Sequence, residues 1–556
     1  MNYKKVGIWF LLILLSFSFG FVADVPDNLY EISKNLDIFG RLYREINTLY
    51  VEDTDPEKLM RTGIDAMLES LDPYTNYISE EEIEDVRFMS TGQYGGIGAL
   101  IGKRKNRMII MEPYEGYPAD KAGLKAGDEL IKVNQSPIVA KDMEVADVRE
   151  LLRGDKDTEV TLFVNREGQD SPLEVKLFRD QIKIKNVPFS GMVEDGVGYI
   201  ALTGFTQDAG KEVQDALQNM KREQPAIKGV ILDLRDNPGG RLDQAVRIAN
   251  VFIPQKETIV ETRGRIDNST RVHTAQRVAV DTEIPLAVLV NQRSASASEI
   301  VAGAIQDLDR GIVLGTRSFG KGLVQNIRPL VYNTQIKITT AKYYTPSGRC
   351  IQAINYAERN EDGSVSKIPD SLQTAFRTRN GRTVYDGGGI EPDFAVEAET
   401  YEIITRELNA QGLIFDFATQ YTAKHPTIAP AREFKLTDEI YNEFVAYVRA
   451  RDFTYETQAD LELKRLKRII EEEAYEEILK DNLASITDKL GQQKKQELGT
   501  YKDEISWLIK REIVKRYYYK QGLIEASFDR DPVISKAAEV LKDPTLYSKT
   551  LQGKGD

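Results

Sequence analysis

Ser294-Ala295-Ser296-Ala297-Ser298-Glu299 follows the apolar run Pro285–Val290 and leads into Ile300, Val301, Ala304 and Ile305 at helical spacing. A short apolar run followed by a helical period predicts a strand-to-helix corner with the serines at its apex. Such a corner lifts a hydroxyl clear of a sheet and leaves first-turn N–H groups without intrahelical partners beside it. Downstream, Ser318-Phe319-Gly320-Lys321-Gly322 sets a lysine between two glycines, where backbone packs closely. A serine hydroxyl and a desolvated lysine are a nucleophile and a base.

Outward from this stretch, strands and helices alternate. Val197–Leu202 reads as a strand, Gly210–Met220 as an amphipathic helix, and Gly229–Leu234 as a buried strand. The last ends in Arg235-Asp236-Asn237-Pro238-Gly239-Gly240, before a helix bearing Leu242, Ala245, Val246, Ala249 and Val251. This order predicts an α/β core with parallel strands and its active loops at their carboxyl ends, so that two corners face one pocket. The Ala297 N–H, with that of Gly239 or Gly240 opposite, is then placed to serve as an oxyanion hole, each donor contributing roughly 3 to 4 kcal/mol. Further strands are expected at Ile312–Gly315, Gln335–Tyr344 and Phe394–Val396, with residues 355–386 forming a polar surface hairpin or flap.

A lysine base must be neutral. Lowering its pKa from about 10.4 towards 7 costs about 4 to 5 kcal/mol and requires burial away from carboxylates. Phe319, Leu323 and Val324 are apolar, and the nearest acid along this part of the chain, Asp309, lies outside the turn. Gln325 can orient the amine without adding charge. The chain has only two histidines. His273 sits in a polar segment, which argues against a Ser-His-Asp triad, and the scarcity of histidine leaves little material for a catalytic metal site. No metal or other cofactor is expected. Spacing alone leaves Ser294, Ser296 and Ser298 equally eligible as the nucleophile.

Upstream, Ile38, Phe39, Leu42, Tyr43, Ile46 and Leu49 predict one helix, and Pro56, after Thr54 and Asp55, starts a second. Ser79 and Glu82 have capping-box spacing for a third. Tyr94-Gly95-Gly96-Ile97-Gly98 is followed by a strand around Met108–Met111, a strand Glu129–Val133, a helix carrying Val145, Val148, Leu151 and Leu152, and a strand Glu159–Val164. That ordered set resembles a PDZ domain over residues 86–180. The resemblance implies that Gly95, Gly96, Ile97 and Gly98 present N–H groups to the terminal carboxylate of a peptide, which adds a strand at the sheet edge. The implied partner is a protein C-terminus with an apolar last residue.

The 556-residue chain is 41% hydrophobic with a net charge of −13. That size fits several domains, and the acidic balance speaks against nucleic acid as a partner. Lys4 and Lys5 precede the uncharged run Val6–Ala23, the layout of a secretory signal or a retained N-terminal membrane anchor. An extracytoplasmic, periplasmic location is therefore expected. The single cysteine, Cys350, excludes an intrachain disulfide. Between Ala431 and Gly491 there is neither Gly nor Pro, and apolar residues recur among charges, which predicts a helical region with a packing, assembly or partner-docking role.

Ser294-Ala295-Ser296-Ala297-Ser298-Glu299, Phe319-Gly320-Lys321-Gly322 with Gln325, Asp233-Leu234-Arg235-Asp236 with Gly239-Gly240, and Gly389-Ile390-Glu391-Pro392-Asp393 together resemble the carboxyl-terminal processing proteases, also called tail-specific proteases, over residues 36–397. In that family the middle serine is the nucleophile and the lysine lies 25 positions on, as 321 − 296 = 25 does here. The resemblance implies Ser296 as nucleophile, Lys321 as general base and Gln325 as partner of the lysine. The longer polar segment 355–386 and the helices after residue 400 depart from the family pattern. Other readings of the same residues are an inert PDZ scaffold and a small-ester hydrolase, for which a reader of peptide termini has no use.

The expected architecture is multidomain α+β, an α/β serine-protease core with an inserted PDZ domain between helical regions. Its parts are a signal or anchor (1–23), an N-terminal helical region (24–85), the PDZ domain (86–180), the Ser-Lys protease core (181–400) and a C-terminal helical region (401–556). A homo-oligomer or a substrate-presenting adaptor is compatible with this organisation.

Overall fold

A computed structural model describes residues 28–194, 196–266, 270–360, 362–397 and 399–553. The signal or anchor expected at 1–23 lies outside the described residues. The chain divides into two compact units.

The smaller unit takes in the chain up to Ile78 together with Ile327–Ile338. Its helices are Asn28–Leu49 and Pro56–Glu69, and its strand Asn76–Ile78 runs antiparallel to Gln335–Lys337. The second helix starts where expected: the Asp55 side chain accepts the Lys58 N–H (3.1 Å), and Pro56 occupies a position whose N–H would have no partner. Leu36, Leu42 and Leu49 on the first helix remain exposed.

The larger unit holds everything else that concerns the site. Its central sheet runs in the order Phe189–Glu194, Val197–Ala201, Gly229–Asp233, Leu286–Val290, Ile312–Gly315, Phe394–Ala395. The first pair is antiparallel and the rest are parallel. Strands buried along their whole length need cover on both faces. The helices Ala209–Glu223, Leu242–Phe252 and Ala297–Asp307 cover one face through Val213, Leu217, Ile248, Val301 and Ile305. Pro532–Lys542, from the far end of the chain, covers the other through Val533, Ile534, Val540 and Leu541.

Between the third and fourth of these sheet strands, Thr258–Gly264 and Arg271–Thr274 form an antiparallel pair, and Glu261–Gly264 also pairs with Ala341–Tyr344. Of this sheet Gln335–Tyr344 was expected as a strand, whereas the pair Thr258–Gly264 and Arg271–Thr274 was not. Ile354–Arg359 pairs antiparallel with Val365–Lys367, and Ala375–Arg377 with Thr383–Tyr385, as two hairpins. The second is anchored rather than free: Arg382, 8% exposed, pairs with Asp309 (2.6 Å) and Asp393.

The segment read as a PDZ domain forms a sheet ordered Ala99–Arg104, Arg107–Pro113, Glu129–Val133, Glu159–Asn165, Leu173–Phe178. The helix Val145–Leu152 packs on it, over a core that includes Met108, Ile110, Leu130, Val148 and Leu162. Chain entry and exit meet as a two-stranded ribbon, Gln93–Gly96 against Asp180–Lys183. Beyond residue 400 the helices include Ile403–Ala410, Leu413–Lys424, Asp438–Arg449 and Lys502–Ser527, which share a core of Leu408, Phe417, Phe444, Ile505, Ile509 and Ile513.

Candidate active site

The strand Leu286–Val290 ends at Asn291, and the chain turns through Ser296 into the helix Ala297–Asp307. Ser296 adopts φ 56°, ψ −111°, a conformation that costs a non-glycine residue about 1 to 3 kcal/mol. The corner is held by its neighbours. Ser294 Oγ donates to Leu234 O (2.8 Å) and accepts the Asn291 N–H (2.9 Å), while Ser298 Oγ donates to Asn237 O (2.9 Å). Both hydroxyls are fully buried and committed to main-chain partners. Of the three serines only Ser296 is partly exposed, a distinction that spacing does not contain.

The facing corner is built from Asp233 to Gly240. Asn237, fully buried, donates from Nδ2 to Leu202 O (2.7 Å), and its carbonyl takes the Ala295 N–H (3.1 Å). Asp236 and Asn291 bond reciprocally, each contact 3.0 Å. Gly239 has φ 96°, and a Cβ there would lie 2.6 Å from Ala295 O and 3.0 Å from Ser296 Cβ, so only glycine lets the corners meet. The Gly239 N–H donates to Asn237 Oδ1 (3.0 Å). Gly240 bridges to Phe205, and the Ala297 N–H, at the first helical position, has no carbonyl of a preceding turn to bond.

The lysine turn is sewn to the serine corner by main chain, since the Phe319 N–H donates to Ser294 O (3.0 Å). It is also sewn by a carboxyl group where none was expected. Glu299, fully buried, accepts the Ser296 N–H (2.7 Å) and Lys321 N–H (2.9 Å) on Oε2, and the Ser318 hydroxyl (2.5 Å) and Gly320 N–H (2.6 Å) on Oε1. The expectation that carboxylates are kept from the lysine turn is therefore corrected. Sequence distance pointed to Asp309, whereas folding brings Glu299 to the main chain of Lys321. The Ser296-x-x-Glu299 capping-box spacing was the signal available. Burial pushes the Glu299 carboxyl up to about 7 against the pull of its hydrogen bonds.

Phe319, expected to wall in the lysine, is 43% exposed, because its neighbours Ser318 and Gly320 are the residues drawn inwards to Glu299; Leu323 is buried instead. Lys321 itself is half-buried. Gln325 Nε2 donates to Thr339 Oγ1 (3.1 Å). Gly320, at φ 85°, packs so closely that a Cβ would lie 2.4 Å from Ala353 Cβ. Ser318 Oγ also accepts the Ile390 N–H (2.7 Å), which makes Gly389-Ile390 a buttress of the lysine turn. Tyr343, another residue the sequence did not mark, donates its hydroxyl to Ser296 O (3.2 Å). His273 lies on the strand Arg271–Thr274 and lines a cavity of about 580 Å³ with Asp243 and Arg247, apart from the serine corner. Burial, aided by Arg271, holds its imidazole below the usual value.

In the PDZ segment the glycine loop is divided. Gly95 and Gly96 pair with Gln181 and Asp180 in the entry ribbon, and Gly98 turns at φ 74° with Tyr117 against it. Ile97 alone of the four lines the apolar groove of about 300 Å³, with Phe88, Leu100, Val145 and Leu152.

Comparison with known proteins matches three segments of the chain. Peptidase family S41 matches residues 196–358, a PDZ domain matches 109–166, and the C-terminal helical domain described for a probable PDZ-protease matches 404–541. The fold and the site thus define a PDZ-containing peptidase of family S41. A carboxy-terminal-processing protease of Bartonella bacilliformis is 42% identical over 323 residues, 58% of this chain and 73% of that one. A probable CtpA-like serine protease of Staphylococcus aureus is 34% identical over 318 residues, 57% of this chain and 62% of that one. Among solved structures, the photosystem II D1 C-terminal processing protease aligns with a TM-score of 0.35 and 25% identity, over 65% of this chain and 92% of that one. The chain belongs to the carboxy-terminal-processing protease family.

Proposed function

We propose that this protein is a serine endopeptidase that cleaves protein substrates captured by their C-terminal segment, with Ser296 as nucleophile and Lys321 as general base. The observation that carries the reading is the Glu299 carboxyl, which bonds the main chain of both Ser296 and Lys321 and so holds the two loops as one assembly. Neutral Lys321 takes the Ser296 proton as Oγ adds to the scissile carbonyl carbon. The resulting oxyanion meets the N–H of Ala297, with Gly240 or, once released from Asn237, Gly239 opposite. Collapse breaks the C–N bond, and the lysine ammonium returns the proton to the leaving amine. Water then attacks the acyl-enzyme and gives its proton to Lys321; collapse breaks the ester bond to Ser296 Oγ, which takes that proton from the lysine ammonium as the acid is released. Gln325 holds the lysine through Oε1, since its Nε2 is engaged by Thr339.

The PDZ groove, with Ile97 in its lining and Gly95 and Gly96 engaged in the entry ribbon, takes a free C-terminus with an apolar last side chain. The Lys4-Lys5 and Val6–Ala23 layout supports a location outside the cytoplasm, in the periplasm or on its membrane.

Proteolysis of an unfolded test protein tests the assignment. Ser296→Ala and Lys321→Ala should each lose at least about 10³-fold in kcat, with His273→Ala unchanged. Activity should also fall as the lysine is protonated on the acid side. Loss of activity in the histidine variant would overturn the dyad.

A further inference from the structure

The PDZ domain is attached to the catalytic unit in two places of different character. The first is the ribbon Gln93–Gly96/Asp180–Lys183, whose base is tied down by the Lys183–Asp208 ion pair (2.5 Å). A two-stranded ribbon is a weak support and twists readily, so by itself it permits a pivot.

The second attachment removes that freedom. The helix Leu413–Lys424 and the helix Lys502–Ser527 lie along the domain. The Phe415 ring meets the guanidinium groups of both Arg104 (4.6 Å) and Arg516 (4.4 Å), and Arg104 also pairs with Asp416 (3.2 Å). Lys515 pairs with Glu112 (2.5 Å), and Tyr519 donates its hydroxyl to Asp120 (2.6 Å). Side chains from each side pack onto glycine backbone of the other: a Cβ on Gly412 would fall 0.9 Å from Arg104 Nη2, and one on Gly127 would fall 2.5 Å from Thr419 Cγ2. Tyr519 itself sits at φ 51°, ψ −154°, at a kink within Lys502–Ser527. A bend this costly, placed at the residue that reaches Asp120, is the mark of a contact the fold keeps.

The same strands serve groove and attachment. Ala99, Leu100 and Ile101 line the groove, and Arg104 ends the strand they begin; Glu112 and Tyr114 divide the next strand and its end in the same way. We propose that these C-terminal helices are a strut that fixes the groove at a set separation from Ser296, so that the first cut falls a set number of residues from the free end of the substrate. This rests on the protease reading above. An extended peptide advances about 3.3 Å per residue, so a pivot of about 7 Å would move the cut by about two residues.

The test uses the full-length chain and an unfolded substrate of repeating sequence with a free, apolar C-terminus, whose first products are sized by mass spectrometry. Wild type should cut at one or two adjacent positions. A variant combining Arg104→Ala, Lys515→Ala and Tyr519→Phe should spread the first cut over about five residues, at unchanged turnover of a short peptide that does not engage the groove. Spin labels on Lys141→Cys and Glu223→Cys, in a Cys350→Ser background, should show a distance distribution at least twice as broad. Tyr519→Phe alone, which deletes one oxygen, gives the same readout with smaller spread should the triple variant unfold. Unchanged label distances would overturn the strut, and broadened distances with unchanged cut sites would overturn its measuring role. Equal cleavage of an amidated substrate by wild type would instead overturn C-terminal capture.

Discussion

Glu299 carries a conflict between burial and bonding. Four donors favour its charge, yet burial raises its pKa from 4.5 to about 7. The folded state therefore binds this proton more tightly than the unfolded chain. The stability so gained is full below about pH 4.5 and is lost as pH rises through about 7, on the order of 3 kcal/mol in all. Glu299→Gln cannot ionise, so its denaturation midpoint should vary less between about pH 5 and 7.5 than that of wild type. The amide nitrogen would also face N–H or O–H donors, leaving a buried donor unpaired at about 1 to 3 kcal/mol. We expect kcat to fall about 10- to 100-fold with KM little changed, because the groups displaced are the loops that carry Ser296 and Lys321. Parallel pH curves and a wild-type kcat would remove this role.

At the scale of elements, the site is two strand-to-helix corners touching tip to tip, and Gly239 is where they touch. Gly239→Ala adds a methyl 2.6 Å from Ala295 O in a backbone region that side chains rarely enter. The expected cost is about 2 to 4 kcal/mol in the denaturation midpoint, together with a fall in kcat larger than any change in KM. An unchanged midpoint would show that the corners separate freely. These corners were legible in the sequence because local signals write them: the apolar run 285–290, the Gly-Gly pair, and the helical period after Ser298. What was not legible depends on contacts far apart in the chain. Ser294 and Ser298 differ from Ser296 only through Leu234 and Asn237, about 60 positions away. Thr258–Gly264 and Arg271–Thr274 form strands through each other and through residues 341–344, without an apolar alternation of their own.

At the scale of the whole molecule, the last helices are part of the catalytic core although the sequence separates them from it by more than a hundred residues. Their helical nature was readable from composition; the surface they cover was not, since an apolar stripe does not name its partner. Val533, Ile534, Val540 and Leu541 lie on Ile231, Ala287, Leu289 and Leu314, the face of the sheet away from the Ala297–Asp307 helix. Asp531, which caps this helix, also reaches Arg235 (2.8 Å) in the corner that holds Gly239. Burying four such side chains stabilises the fold by roughly 6 to 12 kcal/mol, about the whole stability of an ordinary domain. A chain ending at Asp531 should therefore fail to fold, seen as insoluble or protease-sensitive product. Ile534→Ala and Leu541→Ala should fold with midpoints lowered by about 2 to 5 kcal/mol each. Because the two side chains sit on one helix, the double variant need not show the sum. Should the truncated chain refold with the midpoint of the full one, the exposed strands must have found other cover, and the link between the C-terminal helices and the Asp233–Gly240 corner would be lost as well.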